Sequence, residues 1–131
     1  MGAEARRIMF NSKEKKQEGG KMANLVKWIE NAADGEEIIG VVIGDFGWGG
    51  FLEERCPKLI PKEKRGVVLP WDEAKELLDY EFDDGYGAPG CHAIYAWTKN
   101  KVIFVGTYDG STWIESVPRN PVDCDPHMIG C

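Results

Sequence analysis

Residues 92–117 carry three strand-like runs, HAIYAWT, KVIFVGTY and TWIESV, broken at Lys99-Asn100 and Asp109-Gly110. β-Branched and aromatic side chains fill the runs, and short Asn, Asp and Gly breaks suit the tight turns of hairpins. Connections this short leave no room for a crossover, so the three runs can pair only as an antiparallel meander. Tyr108 and Ser111 flank the second turn, which sets Thr107 opposite Thr112 and Gly106 opposite Trp113. An indole lying over a strand glycine covers exposed backbone and holds that register. Val102 to Val105 are all apolar, so the expectation is a central strand covered on both faces.

The segments before the meander alternate in character. Asn24 can cap a helix running to about Ala33, with Leu25, Val26 and Ile29 at helical spacing and Asp34-Gly35 ending it. Residues 37–43, EIIGVVI, are β-branched and nearly continuous, as in an internal strand. GDFGWGGF follows, too rich in glycine for regular structure, and then a Pro-interrupted basic loop over 53–66. GVVLPWDEAKELLDY predicts a short strand, a Pro stop, and a helix from about Trp71 to Asp79 with Ala74, Leu77 and Leu78 buried. Hydrophobic residues make up 43% of 131, enough for one core. The fold class expected is α+β: a small, mainly antiparallel sheet of four or five strands, with two short helices, in a single domain over 22–131.

Residues 1–21 differ from the rest. They carry six basic and three acidic residues, leaving ten basic against nineteen acidic in the body. Gln17 to Met22 back-translates to a sequence containing AGGAGG a short spacer ahead of ATG, the form of a bacterial ribosome-binding site before a start codon. The expectation is that Met22 is the natural start, that 1–21 is a basic, disordered leader, and that the source is a bacterium or its phage. No apolar run reaches the length of a membrane span, and four Cys at irregular spacing favour reduced thiols, so a bacterial cytoplasm is the expected location. A net charge of −6 argues against direct nucleic-acid binding.

LDYEFDDGYGAPGCHAIYAWT and VIFVGTYDGSTWIESVPRNP together resemble small bacterial and bacteriophage proteins in which a YDGS hairpin precedes a VPRNP-like segment. The similarity spans about residues 67–121, with VVIG at 41–44 as a further part. It implies a phage or bacterial origin and attaches no activity and no residue roles.

Two clusters contain potential metal ligands. Cys124, His127 and Cys131 are spaced C-x₂-H-x₃-C, and Cys91 and His92 are adjacent. Zinc takes four N or S ligands in a tetrahedron, usually paired on two knuckles, whereas here the last ligand is the final residue. The expectation is therefore no metal and no cofactor. Cys91 and His92 would point to opposite faces of a strand and cannot serve each other as nucleophile and base, which leaves only Cys91 with a distant His127. No Ser-His-Asp pattern appears, and GDFGWGG lacks the Lys of a phosphate loop.

From Asp72 to Asp84 the chain holds seven acids, Asp72, Glu73, Glu76, Asp79, Glu81, Asp83 and Asp84, against Lys75 alone. The plainer reading is a solvated face; the sharper one is an acidic ridge for a basic host protein, with Trp48, Phe51, Tyr80 and Tyr86 as aromatic anchors. The functional expectation is a non-enzymatic, phage- or prophage-encoded acidic protein that binds and modulates or inhibits a host protein, a nuclease or defence system being its most concrete form. The alternative is a small enzyme or a zinc-stabilised nucleotide-binding module, which a preformed cleft holding His92 and Arg119 would favour.

Overall fold

The computed structural model describes residues 22–48, 56–85 and 89–128. The expectations for the 1–21 leader, Phe51, Tyr86 and Cys131 fall outside the described residues. The protein is α+β. In chain order the elements are β1 (Met22–Asn24), α1 (Leu25–Ala33), β2 (Gly40–Phe46), β3 (Val68–Leu69), α2 (Trp71–Leu78), β4 (Glu81–Asp83), β5 (His92–Trp97), β6 (Lys101–Tyr108) and β7 (Ser111–Pro118). A short 3₁₀ turn over Lys62–Lys64 precedes β3.

Five strands form one antiparallel sheet in the order β3-β2-β5-β6-β7, and β1 pairs with β4 in a separate ribbon. The meander has the register expected of its turns: Thr107 faces Thr112 and Gly106 faces Trp113. Asp109 and Gly110 both take positive φ, 51° and 87°, as a tight hairpin turn of mirror-image type requires. The Trp113 indole lies so close over Gly106 that an added Cβ would meet Cε2 at 3.0 Å. The glycine is therefore the space the indole fills.

Asn24 caps α1 by accepting from the Lys27 amide at 3.2 Å, and Asp34 in the left-handed region closes it. Leu25, Val26, Ile29 and Ala33 of α1 and Ala74 and Leu78 of α2 pack with Val41, Ile43, Ile94 and Ile103 in one core. Both helices thus lie on one face of the sheet. Phe82 of β4 turns inward, edge-on to Trp28 of α1 with ring centroids 5.3 Å apart, and so ties the small ribbon to the helix.

Two expectations need correction. The strand expected over 37–43 begins at Gly40 and runs on through Gly44, Asp45 and Phe46, residues whose glycine-rich setting had suggested irregular structure. Pairing with β5 runs to Ile43 and resumes at Phe46, which pairs with His92; Gly44 and Asp45 form the register irregularity between them. Second, β6 is not covered on both faces. Ile103 is fully buried beneath the helices, while Val102 and Phe104 on the opposite face are only partly buried.

Candidate functional site

Tyr80, His92 and Cys56 form a polar constellation in the interior. Tyr80, just after α2, and His92, opening β5, are buried at 7% and 1% exposure. The Tyr80 hydroxyl lies 2.7 Å from His92 Nδ1 and accepts the His92 backbone N–H at 2.9 Å. On the far side of the ring, Nε2 stands 3.7 Å from the Cys56 sulfur, and Cys56 donates to the Lys58 carbonyl at 2.8 Å. Phe46 packs edge-on to the imidazole at 5.3 Å.

Nucleophile, base and orienting group are the parts of a thiol catalyst, so the direction of each proton matters. Hydrogens are assigned here by satisfying the whole chain. Tyr80 O–H donates to Nδ1, which places the ring proton on Nε2, from which it donates to sulfur; the thiol proton goes to Lys58. Every group is then partnered. In that tautomer Nε2 has no lone pair to take the thiol proton. Burial, with the nearby Arg65 guanidinium adding to it, pushes His92 down to about 4, and burial raises the Tyr80 hydroxyl. A neutral network that stitches the loop at Cys56 to β5 and to the α2–β4 connection is what this geometry makes.

This corrects three sequence readings. Tyr80 is a core residue and cannot anchor a partner. Cys91 is 2% exposed and its thiol is pushed up to about 12 by burial, which removes it as an accessible nucleophile. His92 is occupied by Tyr80 and Cys56. The sequence reading passed over Cys56; a signal was present in the alternation Tyr80-Glu81-Phe82-Asp83, which marks Tyr80 and Phe82 as inward-facing.

The remaining metal candidates among the described residues do not converge. His127 contacts Glu115 at 3.4 Å and Cys124 is exposed. Among the described residues, no three His, Cys, Asp or Glu side chains are grouped to hold an ion. Nor do His92 and Arg119 share a cleft. His92 opens β5, while Arg119 donates to the carbonyl of Thr98, past the other end of that strand, at 2.9 Å.

The acidic stretch is arranged as a stripe. Asp72, Glu76 and Asp79 repeat at helical spacing along α2 and its end, and all are exposed. Glu81 and Asp83 continue outward on β4, on either side of the buried Phe82. Several charges are partly answered. Glu73 pairs with Lys64, Asp79 accepts from Asn24 at 3.0 Å, Asp83 accepts the Gly85 amide at 2.9 Å, and Lys75 reaches Glu30 at 3.9 Å. Asp84 is half-buried and its carbonyl accepts from Thr112 at 2.8 Å. Trp48 lies beyond the end of β2 and is 56% exposed.

A cleft of about 580 Å³ opens beside the stripe, lined by Glu30, Glu36, Glu37, Ile39, Trp71 and Asp72 among others. Its Glu36 is committed to the fold, accepting from Thr98 at 2.5 Å and Asn100 at 3.0 Å, and those bonds hold its carboxyl below the ordinary range. No described helix is long and apolar enough to cross a membrane. No protein-family model, no curated protein and no solved structure matches this chain.

Proposed function

We propose that this chain is a small acidic binding protein, encoded by a phage or prophage and acting in the bacterial cytoplasm, that engages a basic surface of a host protein and inhibits it. A host nuclease or defence component is the concrete case. One observation carries the reading: the carboxylates of Asp72, Glu76, Asp79, Glu81 and Asp83 are exposed together along α2 and β4. Like charges gathered on one surface create a directional field, which speeds encounter with a basic partner more than it slows release.

The test is capture from a bacterial lysate on immobilised protein, comparing the parent with a Glu76→Lys, Asp79→Lys, Asp83→Lys triple variant. Glu76 and Asp83 carry no side-chain bond to another element among the described residues, and Asp79 holds only Asn24, so the fold should survive; circular dichroism checks it. The parent should retain a basic protein whose association slows as salt rises, because exposed charges are screened over about 8 Å at physiological ionic strength. Association of the triple variant should be at least tenfold slower at low salt. Equal rates for the two proteins would reduce the stripe to a solvated face.

A further inference from the structure

The cleft beside the acidic stripe brings an indole and unanswered carboxylates into one hollow between the end of α1 and the start of α2. Gly35, at φ 87°, turns the chain back after α1, and the residues that follow alternate. Glu37 points outward, Ile38 is 8% exposed, and Ile39 is 54% exposed. On the other side Pro70 stops β3 and opens α2, which sets a partly buried Trp71 and an exposed Asp72 in the first helical turn. Glu36 and Ile39 anchor the first wall to the sheet, through Thr98, Asn100 and the Trp97 carbonyl. Walls held in advance lower the cost of ordering them on binding.

The volume, about 580 Å³, lies within the ~300–1,000 Å³ usual for ligand clefts. Four carboxylates line it, those of Glu30, Glu36, Glu37 and Asp72, and none of the described lining residues is Lys or Arg. Glu36 is committed to the fold, and Lys75 answers Glu30 at 3.9 Å. Glu37 and Asp72 make no salt bridge or side-chain hydrogen bond among the described residues. Trp71 and Ile39 supply the apolar part of the lining. An apolar stem that ends in a planar cation matches this mixture. Arginine suits it better than lysine, because a guanidinium stacks on an indole while its N–H groups stay in plane for carboxylates. An anionic ligand would be repelled.

We propose that this cleft receives an arginine side chain of the basic partner, its guanidinium against the Trp71 indole and its N–H groups donating to Glu37 and Asp72. The source of the arginine rests on the host-protein reading; the cleft adds the point at which that partner is held. The stripe steers, and the cleft grips.

A nuclear magnetic resonance titration of the full chain with N-acetyl-arginine amide tests it. Saturable shifts are expected at the Trp71 indole N–H and at the Glu37 and Asp72 amides, with a dissociation constant on the order of 1 mM. The neutral isostere N-acetyl-citrulline amide should bind at least tenfold more weakly, and N-acetyl-lysine amide at least threefold. A Glu37→Gln, Asp72→Asn double variant should lose at least tenfold with unchanged circular dichroism, since both side chains are exposed. The Glu76→Lys, Asp79→Lys, Asp83→Lys variant should stay within about threefold of the parent at about 0.15 M salt, where screening shortens its reach. No saturation at ten times the expected constant overturns the arginine site and leaves capture by the stripe standing. Equal binding of the citrulline or lysine amide, or an unaffected double variant, overturns it as well. Shifts that appear only when residues 1–21 are removed also overturn it, and assign the cleft to that segment. Binding of the amide without capture of any basic protein from lysate would support the arginine site and sink the host-protein reading alone.

Discussion

The two faces of the five-stranded sheet are built from similar residue types and meet opposite fates. Beneath the helices, Val41, Ile43, Ala96 and Ile103 are fully buried and Ile94 nearly so. On the other face Tyr95, Val68 and Val117 are 58%, 70% and 40% exposed. The same β-branched and aromatic chemistry that drives a core on one side is left facing solvent on the other. The difference teaches that strand composition reports pairing, while cover is supplied by whatever packs above.

Substitutions can break or sharpen this contrast. The largest effect should come from Ile103→Ala, which opens a cavity under α1 and should cost about 3–4 kcal/mol, read from urea midpoints. A loss under 1 kcal/mol would mean that the inner face is not the packed core.

Acid should act on the same face. His92 holds its proton affinity at about 4 when folded, against an ordinary 6.5. The unfolded chain therefore binds the proton first as pH falls. The contribution is complete above pH 6.5 and is lost progressively between there and pH 4, on the order of 3 kcal/mol in all. A His92→Gln variant should flatten that slope; an equally steep profile in the variant would assign the acid sensitivity to carboxylates.

Tyr80→Phe removes the acceptor of the His92 amide and the donor to Nδ1, and should cost about 1–3 kcal/mol through buried unsatisfied groups. On the outer face, Gly106→Ala pushes a methyl against the indole, where an ideal Cβ would lie 3.0 Å from Cε2. The cost should be about 1 kcal/mol with altered tryptophan fluorescence, since the half-buried indole can give way and relieve part of the overpacking. The smallest effect belongs to Tyr95→Ala, within about 0.5 kcal/mol. If it matched Ile103→Ala, the two faces would not differ in kind.

The meander was legible because its information is local. Two-residue breaks, alternating apolar residues and one glycine opposite one tryptophan specify the pairing without reference to the rest of the chain. The Asn24 cap and the α2 boundaries were readable for the same reason. β1 and β4 were not, because three-residue strands have too little periodicity to stand out, and their pairing joins Met22–Asn24 to Glu81–Asp83 across most of the domain. The acidic stripe could be counted from the sequence, but the neutralisation of Glu73 by Lys64 depends on a loop folding back.

The contacts among Cys56, Tyr80 and His92 lay furthest from sequence reasoning. Cys56 and His92 are 36 positions apart, and Tyr80 and His92 are 12 apart in different elements. Residue types and spacing were enough to establish the fold class, the hairpin register and the excess of negative charge, because turns, caps and net charge arise within a few neighbouring residues or from simple composition. Folding in three dimensions assigned Tyr80 and Cys91 to the interior, set His92 between Tyr80 and Cys56, and left one sheet face open. Those outcomes depend on which distant surfaces exclude water from one another, and burial of that kind has no local signature.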